Sequence, residues 1–206
     1  MLVKKVPLEA VQKNYNHYAK SYEQHWQHFL SPTRQWVLNH FPDGQGNLLN
    51  LGCGTGRFLS DIKMRYPDLN ITGIDGSEDM LAIARDNVPD GQFNQGDLEE
   101  LSLEGQKFDV ILCLNVLHHL KDQKVLLRKI RHALKPNGVA FIGDYAIETP
   151  MLKLAEIYWR LFHRAHHKAL SIKEFKALLE GFKIEEEAYL KADWFWRLQV
   201  YKVTAP

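Results

Sequence analysis

The feature that most constrains the fold is a short apolar run, Leu48–Leu51, followed by glycine at every second position: Gly52, Gly54 and Gly56. The run is typical of a buried parallel strand, and the residues after the glycines have the spacing of an amphipathic helix. Glycine has no Cβ, so the connecting turn can adopt positive φ and a ligand can lie directly against its backbone. The helix that follows points free N–H groups and the positive end of its dipole into the same space. This arrangement predicts a seat for a nucleotide-like ligand that carries an anionic group.

A second apolar segment, Leu69–Asp75, ends in a carboxylate about twenty residues after the glycines. At that spacing an acid on the neighbouring strand reaches a ribose diol. The alternative is a glycine turn followed by a chance aspartate, which is less favoured because the two features occur together. A dinucleotide fingerprint also requires a third glycine where this chain has Arg57, which argues against an NAD-dependent oxidoreductase.

Composition narrows the class of protein. A chain of 206 residues with 45% hydrophobic and 25% charged residues is expected to form one globular domain with a substantial core. Lys and Arg total 26 against 25 Asp and Glu, so net charge indicates neither nucleic acid nor an anionic membrane as a partner. The apolar runs are too short to span a bilayer, and the N-terminus lacks the apolar core of a signal peptide. Two cysteines suggest no disulfide framework, so we expect a reducing cytoplasm.

The N-terminal segment carries an aromatic stripe. Tyr15, Tyr22 and Trp26 belong to a series at steps of three or four residues, which predicts a helix over residues 8–30. Pro32 is expected to interrupt it, with a second helix over 34–41. The stripe either packs on the sheet or forms a lid over the ligand.

The remaining chain alternates strand and helix and then departs from that rhythm. Strands are predicted over residues 91–95, 108–114 and 139–144, with helices after Ser77 and over 122–135. Residues 148–170 predict an inserted aromatic helix, and Ser171 with Glu174 predicts a capping box. Two final strands over 182–190 and 195–203 have no helix between them and must be antiparallel. The aromatic residues of the insertion and the last hairpin suggest an apolar or aromatic small molecule, although they could equally be core or a dimer surface.

Several of these segments resemble one family. The sequence Leu-Gly-Cys-Gly-Thr-Gly at 51–56, followed by Asp75, is similar to motif I and the acidic loop of class I S-adenosylmethionine-dependent methyltransferases. A weaker similarity precedes this motif at residues 15–22, and others follow it in the family's order at residues 96–98, 115–120 and 134–139. The resemblance implies an α/β fold, a Rossmann-like seven-stranded sheet that is mostly parallel with an antiparallel last strand. It implies a single domain over 1–206, made of an N-terminal helical lid (1–45), a cofactor-binding core (46–145), a cap insertion (146–170) and a C-terminal helix and β-hairpin (171–206).

The resemblance also implies a function: transfer of a methyl group from S-adenosyl-L-methionine to the O, N or C of a small molecule, with S-adenosyl-L-homocysteine as product. The alternatives are a catalytically silent module that binds the same cofactor or a nucleotide and, less favoured, an NAD-dependent oxidoreductase. The residues expected to bind the cofactor are Tyr15, Tyr22, Leu51, Gly52, Cys53, Gly54, Gly56, Asp75, Gly76, Met80, Gly96, Asp97, Leu98, Asn115 and Val116.

Methyl transfer from a sulfonium mainly requires alignment and exclusion of water, with a base only where the acceptor must lose a proton. His119 and His118 are the candidate catalytic bases because they follow the predicted fourth strand. Adjacent side chains face different ways, so at most one should enter the pocket, and either could simply be structural.

The sequence gives little sign of metal or nucleic acid. His163, His166 and His167 offer too few ligands for a metal and are expected at the surface or the rim of the pocket. Asn115 and Asp144 lack an identifiable third oxygen ligand, so no metal is predicted. The chain has no basic patch or motif typical of nucleic-acid methylation, and we expect a monomer or homodimer.

Overall fold

The computed structural model describes Tyr15, residues 19–163 and residues 166–206. Within this part of the chain, one sheet contains seven strands: β1 (Gly46–Leu51), β2 (Leu69–Asp75), β3 (Gln92–Gln95), β4 (Phe108–Leu114), β5 (Leu134–Tyr145), β6 (Lys183–Lys191) and β7 (Arg197–Thr204). The α-helices of the same residues are α1 (Tyr22–Asn39), α2 (Arg57–Arg65), α3 (Glu78–Asn87), α4 (Gln123–Ala133), α5 (Pro150–Phe162) and α6 (Ile172–Leu178). A short 3₁₀ turn, Leu117–His119, follows β4.

The strand order is β3-β2-β1-β4-β5-β7-β6. Strands β1 to β5 pair in parallel, whereas β7 is antiparallel to both of its neighbours, β5 and β6. The predicted Rossmann-like sheet with a reversed last strand is therefore confirmed. The strand order reverses between β1 and β4, and ligands of open α/β sheets bind outside the carboxyl ends of the strands at such a point.

Both faces of the sheet are covered. Along β1, Leu49 and Leu51 pack with α4 and α6, while Leu48 packs with α1, α2 and α3 on the other face. Period-2 alternation of a fully apolar strand produces this result, because each face receives every second side chain. The central strands are thereby fixed in register, and so are the residues at their carboxyl ends.

Helix α1 differs from the expected pair of helices, because it runs through Pro32 without a break. Phe29 and Leu30 before the proline, and Thr33 and Val37 after it, are buried on one face. Continuous packing of this face outweighs the backbone hydrogen bond that proline removes. The rest of the predicted helix over residues 8–30 lies mostly outside the described residues.

Strand β5 begins earlier than predicted. Leu134 pairs with Phe108 and Val139 pairs with Val110, so residues 135–138 form an irregularity within the strand. Asn137 there has a φ of 66°.

In the residues that the structure describes, no helix has both the length and the apolar character needed to cross a membrane.

Candidate active site

The turn between β1 and α2 has the conformation that its glycines predict. Gly52, Gly54 and Gly56 have φ values of 74°, 55° and 67°. The backbone N–H groups of Gly52 and Cys53 donate to the Ile74 carbonyl oxygen at 2.7 and 3.1 Å, which fixes the turn beside the end of β2. Because side chains rarely adopt positive φ, a turn of this shape favours glycine.

Asp75 ends β2 and faces this turn. Its Oδ2 accepts a hydrogen bond from the Gly54 N–H at 2.8 Å, and its Oδ1 accepts one from the Ser77 N–H at 2.9 Å. Burial raises the pKa of the Asp75 carboxyl, and the hydrogen bonds from Ser77, Gly54 and Gly76 partly oppose that rise. The Asp75 carboxylate is thus held in one position at the carboxyl end of the sheet, beside the Gly54 backbone.

A cleft opens over these residues, at the switch point between β1 and β4. It has a volume of about 1160 Å³, part of which is open solvent. Its lining comes from α1, the glycine turn, the ends of β2, β3 and β4, and the 3₁₀ turn. The lining residues that the sequence predicted are Tyr15, Tyr22, Gly52, Cys53, Gly54, Asp75, Gly76, Met80, Gly96, Asp97, Leu98, Asn115, Val116 and His119.

Leu51 and Gly56 do not line the cleft. The Leu51 side chain is fully buried in the core beside β4. A Cβ on Gly56 would lie 2.9 Å from the Ala84 Cβ, so this glycine allows α2 to approach α3 closely. Both residues instead pack the ends of the glycine turn against the core and α3.

Sequence reasoning missed a polar group that joins α1 to the glycine turn. The Arg34 guanidinium donates two hydrogen bonds to the Glu23 carboxylate, at 2.7 and 3.1 Å, and the Thr55 hydroxyl donates a third at 2.7 Å. Burial favours the neutral form of Glu23, but the hydrogen bonds from Arg34 and Thr55 and the charge of Arg34 outweigh it and lower the Glu23 pKa. Glu23 and Arg34 are eleven residues apart, so no local motif could have indicated that they meet.

The charge of the cleft is unbalanced. Its lining includes four carboxylates, Glu23, Asp75, Asp97 and Glu99, but Arg34 is the only Lys or Arg among the lining residues that the structure describes. Such a lining repels a diphosphate and attracts a ligand with cationic groups. S-Adenosylmethionine carries a sulfonium and an ammonium, so the residues present fit it better than they fit NAD.

One end of the cleft brings Tyr15, Tyr22 and His119 together. The Tyr15 hydroxyl lies 2.8 Å from His119 Nε2, and the rings of these two residues meet edge to face with centroids 5.5 Å apart. The Tyr22 ring centroid is 5.9 Å from that of Tyr15. Burial raises the pKa of both tyrosines, so they remain neutral phenols at physiological pH.

His118 does not line the cleft, although its ring lies beside that of His119 with centroids 3.9 Å apart. Its Nδ1 lies 2.8 and 3.0 Å from the two carboxylate oxygens of Asp144, and its backbone N–H donates to Oδ2 of the same residue at 3.1 Å. Asp144 is buried at the end of β5 and also accepts from the Tyr145 N–H. This pair anchors the 3₁₀ turn, so the structure favours His119 over His118 as the residue that can meet a substrate.

The histidines after α5 do not behave as one cluster. His163 is exposed and ends α5, whereas His166 is buried and its Nε2 lies 2.8 Å from Glu156 Oε2. The expectation of a surface or rim position was therefore wrong for His166, because α5 brings a carboxylate ten residues away onto its ring. Within the described parts of the chain, no group of three His, Cys, Asp or Glu side chains could hold a metal ion.

Comparison with known proteins agrees with this geometry. Residues 49–142 match the family described as a methyltransferase domain. The malonyl-[acyl-carrier protein] O-methyltransferase of Bacillus anthracis is 33% identical over 191 residues, which cover 88% of this chain and 65% of that protein. The ubiquinone biosynthesis O-methyltransferase of Coxiella burnetii is 29% identical over 121 residues, which cover 56% of this chain and 51% of that protein. The chain thus spans about half to two thirds of the length of these relatives.

Among solved structures, an S-adenosylmethionine-dependent methyltransferase from Thermotoga maritima superposes with a TM-score of 0.72 at 22% identity, covering 93% of this chain and 98% of that one. This likeness shows the shared fold. Together the comparisons support the resemblance that the sequence predicted, to the class I S-adenosylmethionine-dependent methyltransferases.

Proposed function

We propose that this chain transfers a methyl group from S-adenosylmethionine to a small-molecule acceptor bound at the Tyr15–His119 end of the cleft. The observation that carries the proposal is the pairing of the glycine turn with a fixed carboxylate, Asp75, inside a cleft with four carboxylates and one arginine. When bound, the cofactor supplies a methyl group already activated by its positively charged sulfur. The work left to the protein is to position the acceptor and exclude water.

The two ends of the cleft suggest how the ligand lies. Asp75 is placed for the ribose hydroxyls, and Asp97 with Leu98 at the end of β3 is placed for the adenine amine and ring face. The methionine part then runs over Gly52 and Gly54 toward the tyrosines. This orientation puts the methyl group at the aromatic end, where Tyr15 and Tyr22 can also stabilise the sulfonium by cation–π attraction of about 1 kcal/mol.

His119 is the proposed base. A bound S-adenosylmethionine would supply the activated methyl group, and His119 would accept the proton that the acceptor loses. The contact between His119 Nε2 and the Tyr15 hydroxyl supports this role, because it fixes the imidazole at the cleft wall. An acceptor with an apolar or aromatic body fits the phenol and imidazole rings at this end.

A turnover screen tests the function. The chain is incubated with S-adenosylmethionine and a panel of phenols, amines and carboxylic acids, and release of S-adenosylhomocysteine is measured. We expect turnover with at least one class, and His119→Ala to lower kcat about a hundredfold for an acceptor that must lose its proton. His132→Ala, on the exposed side of α4, is the matched control and should leave kcat unchanged.

Each outcome has a distinct meaning. Cofactor binding without turnover on any acceptor would favour the catalytically silent module instead. Full activity of His119→Ala with phenols would remove His119 as the base but leave methyl transfer in place.

A location in the reducing cytoplasm is part of the proposal, supported by two buried cysteines that are both free thiols.

A further inference from the structure

Helix α5 presents an apolar face to solvent. Leu154, Ile157, Tyr158, Leu161 and Phe162 are each 56–71% exposed. Their spacing of three and four residues places them along one side of the helix. Large apolar side chains that are exposed singly are common on proteins, but a continuous row over two turns indicates an interaction surface.

The orientation of this face is fixed by the other side of the helix. Leu152 and Glu156 are buried, and Glu156 bonds both the His166 ring and the Ala169 N–H. The Trp159 ring stacks on Trp196 of the last hairpin with centroids 5.4 Å apart. The helix therefore cannot rotate to bury its apolar row without breaking these contacts.

The charged residues of α5 indicate the chemistry of the partner that this face would bind. Lys153 and Arg160 are exposed and seven residues apart, so they lie two turns apart along the same flank of the apolar row. The only acidic residue of the helix, Glu156, is buried against His166. The solvent-facing part of α5 thus combines apolar side chains with cations and has no anion.

We propose that α5 lies in the interface of an anionic lipid membrane, with its apolar row among the acyl chains and Lys153 and Arg160 at the headgroups. A helix with one apolar face and basic residues on its flank binds such a surface by hydrophobic burial and by attraction to anionic lipid. Trp194 of the last hairpin is also 73% exposed, and the neighbouring Phe195 packs on Trp159 of α5. Tryptophan is favoured at the level of the headgroups.

The same charges disfavour a second copy of the chain as the partner. A two-fold interface would place α5 against itself, since each copy contributes the same patch. In an antiparallel pair, Lys153 and Arg160 of one copy would approach the cations of the other, with no acid on the exposed face of α5 to offset them. The net charge of the whole chain gives no indication of a membrane partner, because acidic residues elsewhere balance the exposed cations of α5. The proposal depends on α5 alone and does not require the methyl-transfer function.

Vesicle cosedimentation tests the proposal with the whole chain. The fraction bound is measured with vesicles of phosphatidylcholine and with vesicles that also contain phosphatidylglycerol. We expect stronger binding to the anionic vesicles, weakening as salt is raised. The double variant Leu154→Gln/Leu161→Gln should lower the partition coefficient about tenfold or more, because two apolar anchors are lost. The matched control is Met64→Gln, which changes a side chain 71% exposed on α2 between two basic residues and should bind normally.

Three results would overturn the proposal. The first is a wild-type chain that stays in the supernatant with both kinds of vesicle. The second is equal binding of the double variant and the wild type. The third is a stable dimer in the absence of lipid that the double variant converts to a monomer, measured by analytical ultracentrifugation, which would assign the face to a second copy. Circular dichroism of each variant confirms that it is folded.

Discussion

Substitution of Gly54 by alanine should separate ligand binding from stability. Gly54 lines the cleft with a φ of 55°, and a Cβ built on it has no protein atom within 4 Å. The added methyl group therefore meets no other part of the protein and occupies the space of the bound ligand. The cost to the folded chain is only the backbone strain of a side chain at positive φ, about 1–2 kcal/mol. For a domain of this size that cost lowers Tm by roughly 2–8 °C.

The chain contains a matched control. Gly105 has a φ of 74° and also lacks neighbours within 4 Å of a built Cβ, but it is not among the residues that line the cleft. Gly105→Ala should therefore lose similar stability without affecting the ligand. At a concentration of S-adenosylhomocysteine about a hundred times its wild-type Kd, bound ligand stabilises the fold by about 2.7 kcal/mol. A hundredfold loss of affinity in Gly54→Ala reduces this to about 0.4 kcal/mol.

The assay is thermal denaturation of both variants with and without S-adenosylhomocysteine. Ligand should raise the Tm of Gly105→Ala by roughly 5–10 °C and that of Gly54→Ala by only about 1 °C. Equal shifts in the two variants would refute the reasoning that the ligand lies against the Gly54 backbone.

Two further predictions concern the polar groups around the cleft. Because Arg34 and Thr55 lower the pKa of Glu23 below its unfolded value, their interaction stabilises the fold at neutral pH and is lost as pH falls below the ordinary carboxyl range. Glu23→Gln should lower the free energy of unfolding by about 1 kcal/mol at pH 7, and the difference from wild type in urea titrations should shrink toward acidic pH; a constant difference would contradict this. Glu156→Ala should destabilise by about 1–3 kcal/mol, because His166 Nε2 and the Ala169 N–H lose the buried carboxylate that they contact, whereas Glu156→Leu/His166→Phe should recover part of the loss. Urea unfolding measures both variants, and an equally unstable double variant would contradict the argument.

Much of the fold follows from local pattern. The bounds predicted for β2 and β4 agree with the structure, since a central strand is apolar along its whole length and ends at a polar residue or turn. The N-caps Ser77 and Ser171 also act as predicted, because a capping hydrogen bond joins residues only three positions apart. The predicted break at Pro32 was wrong, because tertiary packing on both sides of it decides whether the helix continues.

Some residues of the cleft could likewise be predicted from the sequence, and others could not. The glycine turn and Asp75 could be predicted because spacing along the chain determines where strand ends and turns meet. Arg34, Glu23 and Glu99 could not, because they reach the cleft through the packing of α1 and of the loop after β3. That at most one of His118 and His119 lines the cleft was expected from their adjacency, but only the contact of His118 with Asp144 on β5 shows which one does not.

The central claim is that the glycine turn and Asp75 bind an adenosine that carries a cationic sulfur. The most direct test is calorimetric titration of the chain with S-adenosylhomocysteine, S-adenosylmethionine and NAD, repeated with Asp75→Asn and with Asp86→Asn, the same change at an exposed position of α3. We predict saturable binding of both S-adenosyl ligands, no detectable binding of NAD, an affinity about tenfold to a hundredfold lower in Asp75→Asn, and wild-type affinity in Asp86→Asn. Tighter binding of NAD, or an unchanged affinity in Asp75→Asn, would contradict the account.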